Sequence, residues 1–267
     1  MNKFLGDLET IFTRLENENH TIHCLTNPIA MNDMANVILS LNQSPIMADN
    51  PREVEEITEK SSALLINLGN IQDYRMEAMK ESAHRANKSS IPLVLDLVGV
   101  SASSLRLDFA LELLKTYRFD LIKGNYSEIF SLEEEKTSTS GVDSKDLDIK
   151  EIIGKAKKLS KTYKTKILAS GRKDIACDNN ETYILSNGDY RLKKLTGTGC
   201  ILGAICTSCL AIENSLEALI LGISIENISS EDIREDMGLG SFKLAFLDKI
   251  SLLDMKTIKE RIKYERY

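Results

Sequence analysis

Residues 195–212, "LTGTGCILGAICTSCLAI", place two glycines directly ahead of Cys200 and then continue in small and apolar residues. The pattern predicts a tight turn opening into a buried helix. The first N–H groups of a helix lack an acceptor within it, and glycine lets an anion approach the backbone closely. Gly197, Thr198 and Gly199 are therefore a candidate phosphate cradle, with Cys200 at its rim. A thiol there can orient a hydroxyl or take its proton. Two carboxylates, Asp96 and Glu128, follow apolar runs, and oxygen ligands of this kind suit Mg²⁺, which keeps several waters. Lys123 stands near the end of another apolar run, in reach of a nucleotide phosphate. Each feature has a plainer reading: an ordinary helix start, a surface lysine, a first-turn helix charge. Their joint occurrence carries the argument.

Other motifs are excluded by spacing. "GTGCILG" is too long for G-x-G-x-x-G, and no G-x-x-x-x-G-K-[ST] or G-x-S-x-G occurs. Cys206 and Cys209 form a C-x-x-C inside an apolar helical stretch and have no second ligand pair, so they read as buried packing. His20, His23 and His84 lack metal-ligand spacing, and His23, inside an apolar run, reads as a core histidine. Met31 and Met34 read as packing.

The elements that must position these groups are legible as an alternation. "TIHCL", "PIMA", "ALLINL", "PLVLDLV", "DLIKG" and "TKILAS" are short, rich in Ile, Leu and Val and bounded by turn residues, as buried strands are. Helical patterns cover 31–41, 51–60, 72–87, 104–116 and 145–163. Two more helical segments close the chain, and in the second Leu239, Phe242, Phe246, Ile250 and Leu253 should face the core. "YILSNGDYRL" suggests a hairpin around Asn187 and Gly188. The alternation predicts an α/β fold of three layers, a mostly parallel central sheet with helices on both faces. Ligands bind such sheets at the carboxyl ends of the strands. Asn27, Asp49, Asp96, Asn125 and Ser170 all fall there, and the last strand is expected to lead into Thr196 and the Gly197 turn.

Bulk properties narrow the partners. The net charge of −6 argues against nucleic acid and against an anionic membrane surface. The 42% of hydrophobic residues suffices for a core, and the 267 residues read as a single domain, 1–267. Five cysteines in a chain of this length point to a reducing cytoplasm. The opening residues lack a signal-peptide apolar segment, and the apolar run from Cys200 is broken by Glu213, Asn214 and Glu217 before it could span a bilayer.

These strand ends resemble those of the hydroxyethylthiazole kinase family, of ribokinase-like fold. The resemblance covers nearly the whole chain through "HCLTNPIAMNDMAN", "SPIMA", "LLINLG", "VLDLVGVSASSLR", "IKGNYSEI", "GVDS", "LTGTGC" and "GLGSFKLAFLDKI". It implies transfer of the ATP γ-phosphate to the hydroxyl of 4-methyl-5-(2-hydroxyethyl)thiazole, in thiamine salvage. It implies thiazole contacts from Met47, Asn27 and the Gly197 backbone, and ATP contacts from Lys123 and Ser170, with Asn125 beside them. It also implies Mg²⁺ near Asp96 and Glu128, Cys200 beside the substrate hydroxyl, and a homotrimer with sites between subunits. Related kinases of the fold usually carry aspartate at position 200. The family usually has proline where this chain has Leu97, arginine at Lys123 and threonine at Ser170. Lysine keeps the charge and loses the bidentate fork. Two rival readings are a kinase of another small alcohol, such as a hydroxymethylpyrimidine, and a non-catalytic binding protein. The residues near Asn27 and Met47 oppose the first, and Asp96, Glu128 and "GTGC" together oppose the second.

Overall fold

The computed structural model describes residues 3–137 and 148–267. The "GVDS" stretch and the start of the helix expected over 145–163 lie outside the described residues. Among the described residues, nine strands form one sheet: β1 Thr21–Leu25, β2 Ser44–Ile46, β3 Ala63–Asn67, β4 Leu93–Asp96, β5 Leu121–Asn125, β6 Lys166–Ser170, β7 Asp174–Cys177, β8 Thr182–Leu185 and β9 Tyr264–Arg266. Their order is β2-β1-β3-β4-β5-β6-β7-β8-β9. Neighbours from β2 through β6 are parallel, and β6 to β9 run antiparallel. The helices are α1 Lys3–Asn17, α2 Met31–Ser40, α3 Val54–Glu59, α4 Asp73–Lys88, α5 Ser104–Thr116, α6 Tyr126–Glu134, α7 Ile149–Tyr163, α8 Thr198–Ile212, α9 Leu216–Ser230, α10 Leu239–Ser251 and α11 Met255–Arg261.

The expected three layers follow from the period of the strands. Successive strand residues point to opposite faces, so Leu65 of β3 packs with α1, α2, α8, α9 and α10. Leu64 and Ile66 pack on the other face with α4, α5, α6 and α7. The two apolar cores thus sandwich the sheet. In α8, every residue from Cys200 to Leu210 is buried, so its hydroxyls must find partners within the helix. Thr207 donates to the Gly203 carbonyl at 2.7 Å and Ser208 to the Ala204 carbonyl at 3.0 Å. Cys206 and Cys209 are fully buried there, as expected of packing residues. His23 is buried too: its Nε2 faces the Ala48 carbonyl at 2.9 Å and its Nδ1 faces Thr58 Oγ1 at 2.9 Å. A carbonyl only accepts, so Nε2 carries the proton and Nδ1 accepts from the threonine.

Three expectations need correction. The hairpin around Asn187 and Gly188 is absent. β8 ends at Leu185, and its outer partner is β9, from the end of the chain. Asn187 is held by that segment, donating to the Arg261 carbonyl at 2.9 Å and accepting from Lys263 N at 2.7 Å. Arg191 pairs with Asp189 and donates to the Ile233 and Arg234 carbonyls, which turns residues 189–191 away from any ladder. Second, no strand leads into Gly197. A 3₁₀ turn, Leu192–Lys194, delivers it instead. Third, α10 buries Phe242, Phe246 and Ile250 but leaves Leu239 exposed. The helix α1 was not anticipated, although Leu8, Ile11, Phe12 and Leu15 recur at helical spacing and are buried.

Candidate active site

The site starts from a row across the sheet. Asn67 at the end of β3 is in register with Asp96 at the end of β4, and Asp96 with Lys123 of β5. Lys123 Nζ donates to Asp96 Oδ1 at 2.8 Å, and Asn67 Nδ2 donates to Asp96 Oδ2 at 2.8 Å. All three residues are buried. Burial strips water from the Asp96 carboxylate and pushes its pKa up, against the pull of Lys123 and Asn67. Burial is the largest single influence on the Lys123 ammonium and disfavours it, but the Asp96 charge and hydrogen bond, with Cys200 and Glu128 nearby, together outweigh it and hold the ammonium above the ordinary lysine range.

Leu97 continues this row. Its N–H donates to the Lys123 carbonyl at 2.8 Å. A proline, usual there in the family the sequence resembles, has no N–H to give. In this chain the ladder therefore holds β4 against β5 one residue further.

Glu128 is built into the backbone. With Asn125 it forms a capping box at the start of α6: Asn125 Oδ1 accepts from Glu128 N at 2.9 Å, and Glu128 Oε2 accepts from Asn125 N at 2.7 Å. Its other oxygen accepts from Gly99 N at 2.8 Å. Burial raises the Glu128 pKa, opposed by these two amides. The carboxylate thus ties the loop after β4 to the turn after β5. Ser170, at the end of β6, is in register with Asn125, and its hydroxyl reaches the Gly124 carbonyl at 3.4 Å.

The N-terminus of α8 faces this row. The first helical bond runs from Ile201 N to the Gly197 carbonyl at 2.9 Å, which leaves the Thr198, Gly199 and Cys200 N–H groups ahead of the helix's own ladder. Gly197 has φ +94°, and a Cβ there would touch Ala30 at 3.4 Å. A Cβ on Gly199 would lie 3.6 Å from Lys123 Nζ, so the ammonium stands beside the turn. The Thr198 hydroxyl donates backward to the Leu192 carbonyl at 2.9 Å. Its contribution to an anion is its N–H.

Cys200 Sγ lies 3.2 Å from Asn67 Nδ2 and 3.5 Å from Asn27 Nδ2. Its thiol is not activated in this state: burial and the nearby Asp96 charge raise its pKa, despite Lys123 and the two asparagines. Burial is the largest of these influences on the thiol. Asn27 also accepts from Ile29 N at 3.1 Å and Ala30 N at 3.0 Å, which fixes the turn into α2. Met47 follows β2, half-buried against the core that contains α2 and α8.

The structure thus joins Asp96, Lys123, Cys200, Asn27 and Gly199 through contacts, with Glu128, Asn125 and Ser170 on the adjoining strand ends. Sequence reasoning missed Asn67. The signal was present: a polar residue ending the otherwise apolar "ALLIN", one strand from Asp96. Asp96 and Glu128 are the ligand type Mg²⁺ takes, and each of their oxygens also accepts from a protein donor in this structure. Among the described residues no group of three or more His, Cys, Asp or Glu forms a cage, whereas one or two carboxylates plus waters and phosphates are what this ion takes. The described residues include no helix long and apolar enough to cross a membrane.

Known proteins resemble this chain in sequence and fold at several levels of identity. Residues 12–256 match the model of the hydroxyethylthiazole kinase family. The chain is 50% identical over 262 residues to a hydroxyethylthiazole kinase of Finegoldia magna, covering 98% of this chain and 97% of the relative. A solved hydroxyethylthiazole kinase from Pyrococcus horikoshii superposes with TM-score 0.90 at 27% identity, covering 98% of this chain and 99% of that one. A ribokinase-like superfamily protein from Enterococcus faecalis, 9% identical, superposes with TM-score 0.63 over 91% of this chain and 88% of that one. That last likeness speaks to the fold alone, which is ribokinase-like as expected. With the family model matched over residues 12–256 and a relative 50% identical almost end to end, the chain belongs to the hydroxyethylthiazole kinase family.

Proposed function

We propose that the protein transfers the γ-phosphoryl group of ATP to the primary hydroxyl of 4-methyl-5-(2-hydroxyethyl)thiazole, a step of thiamine salvage. The observation that carries this reading is the placement of the Lys123 ammonium between the Asp96 carboxylate and the Gly199 backbone. Phosphoryl transfer needs positioning and charge stabilisation more than covalent chemistry. The N–H groups of Thr198, Gly199 and Cys200 hold the transferring group's oxygens, as donors in an oxyanion hole do. Lys123 adds a positive charge beside them. Ser170 and Asn125 line the nucleotide side. Asn27, Met47 and the Gly197 backbone receive the thiazole, with its hydroxyl towards Cys200. Mg²⁺, held near Asp96 and Glu128, supplies neutralising charge to the phosphates when bound.

The protein works in the cytoplasm as a homotrimer. Its five free thiols suit a reducing compartment. Exposed Ile29, Leu39 and Leu244 lie on or beside α2 and α10, which pack together next to the Gly197 turn. A neighbouring subunit on that apolar face borders the thiazole site. Light scattering of active protein should give a trimer mass, and a monomer mass removes the shared site.

The activity is tested by ADP release with ATP, Mg²⁺ and one alcohol at a time. ADP should form with the thiazole alcohol and not with hydroxymethylpyrimidine. Equal release without any alcohol, or release with the pyrimidine alone, overturns the reading.

A further inference from the structure

Two side-chain amides surround the Cys200 sulfur, and their orientation follows from backbone groups further away. Asn67 Oδ1 accepts from Gly69 N at 2.9 Å. A backbone N–H only donates, so this branch of Asn67 is its oxygen and the other branch its NH₂. That NH₂ has two hydrogens and two partners, Asp96 Oδ2 at 2.8 Å and Cys200 Sγ at 3.2 Å. Asn27 is fixed in the same way, because its Oδ1 accepts from Ile29 N and Ala30 N. Its NH₂ therefore donates to Asn67 Oδ1 at 3.2 Å and to Cys200 Sγ at 3.5 Å. The sulfur thus receives two N–H groups, and the S–H bond has to point away from both.

We infer that Asn67 is a positioning residue for the reaction: it fixes the Cys200 sulfur as a hydrogen-bond acceptor and locks the Asp96 carboxylate beside it. The inference rests on the phosphotransfer reading for its catalytic meaning, and on hydrogen-bond polarity alone for its geometry. Asn67 is fully buried, and both its oxygen and its nitrogen are matched by partners of the right sign. Aspartate at this position would turn a donor into an acceptor against Asp96. A second observation supports the pairing. A Cβ on Gly69 would lie 2.8 Å from both Asn27 Nδ2 and Asn67 Oδ1, so glycine there is what lets the two amides meet. With two donors fixed on the sulfur, its proton is directed to the open side. Only the thiolate can take the substrate hydroxyl's proton, and the two N–H donors hold its negative charge before the S–H bond forms and that charge passes to the substrate oxygen. The charged groups facing the thiol are Asp96 and Lys123.

The test uses the full-length protein and the variants Asn67→Ala, Asn27→Ala and Gly69→Ala, each checked for folding by circular dichroism. One readout is the pH midpoint of Cys200 alkylation by iodoacetamide without ligands, followed by mass spectrometry of the Cys200 peptide. The other is kcat and KM for the thiazole alcohol. Asn67→Ala should raise the midpoint by about one pH unit, because a donor to the thiolate is gone. Asn27→Ala should raise it less, its donor being the more distant. The kcat of Asn67→Ala should fall roughly tenfold to a hundredfold with KM within a few-fold. Gly69→Ala should shift both readouts in the same direction as Asn67→Ala, even if Asn67→Ala itself does not fold. An unchanged midpoint in folded Asn67→Ala or Gly69→Ala overturns the inference, as does a KM increase at constant kcat. The alkylation midpoint needs no turnover. If the wild-type protein phosphorylates no thiazole alcohol, the functional reading fails while the midpoint still decides the polarity of the sulfur.

Discussion

The Lys123 ammonium meets the Asp96 carboxylate at 2.8 Å where β4 and β5 run side by side, with both side chains closed to solvent. A buried pair contributes little net stability, because each ion has lost its water, but removing one partner strands the other. Lys123→Met and Asp96→Asn should each lower unfolding stability by about 3–5 kcal/mol. The Lys123→Met/Asp96→Asn double variant should recover part of that loss. Urea denaturation measures all three, and additive losses would show that the ions do not hold each other. Asp96→Asn should also remove most activity, and near-normal turnover at saturating Mg²⁺ would sink the metal assignment.

Cys200 should prove replaceable. In a loose phosphoryl-transfer transition state the hydroxyl loses its proton late, so a base has little to do. Cys200→Ala should lower kcat by roughly tenfold to a hundredfold, at or below the low end of what general-base help supplies. Cys200→Asp should stay active, since a carboxylate also accepts the two asparagine N–H groups. Steady-state kinetics decide this, and a dead Cys200→Ala protein would make the thiol essential.

Gly197 and Gly199 should fail differently. Gly197 sits at φ +94°, where a side chain costs on the order of 1 kcal/mol or more. Gly197→Ala should therefore lose stability and activity together. Gly199→Ala meets only ordinary contact with Lys123, so its melting temperature should hold. Gly199→Val should keep its fold but raise the KM for ATP, because the side chain occupies space meant for phosphate. A Gly199→Val protein with normal ATP kinetics would place the phosphate elsewhere.

His23 should make the fold acid-sensitive. Burial lowers its pKa from the ordinary 6.5 to about 4. Above pH 6.5 the imidazole is neutral in both states and stability does not depend on it. Between pH 6.5 and 4 the unfolded chain binds a proton that the folded chain refuses, so stability falls as pH falls, by roughly 3 kcal/mol in all. The urea midpoint of the wild-type protein should drop more between pH 7.5 and pH 5 than that of His23→Gln. Parallel drops would remove His23 as the cause.

The parallel half of the fold was legible because buried parallel strands write themselves as short apolar runs. "TIHCL" is β1 residue for residue, and "ALLINL" and "TKILAS" contain β3 and β6 respectively, each with one residue over. β7 and β9 escaped notice for physical reasons. "DIAC" is short and follows a charged turn, and "YER" is a polar edge strand whose pairing with β8 spans most of the chain. The misplaced hairpin has the same origin: Asn187 and Gly188 lie in irregular chain after β8, and their partners are Arg261, Glu231 and Lys263 from far along the sequence. In the site, residue types exposed Asp96, Lys123 and the Gly197 turn. The spacing of residues could not reveal that Asn67 lies beside Asp96, since only strand order brings β3 against β4. Nor could it show that both Glu128 oxygens are taken by amides.

The two outermost strands also govern how this molecule meets its own copies. β2 has three residues with Pro45 in the middle, and proline offers no N–H to an incoming strand. At the opposite side β8, "TYIL", would present a bare row of donors and acceptors if left open. β9 covers it with three residues, two of them charged, and Arg266 pairs with Glu181 across the strand ends. Open edges of this kind template aggregation. A chain clipped just before Tyr264 would keep its strand-end site and acquire a sticky flank, so its solubility would decline before its chemistry did.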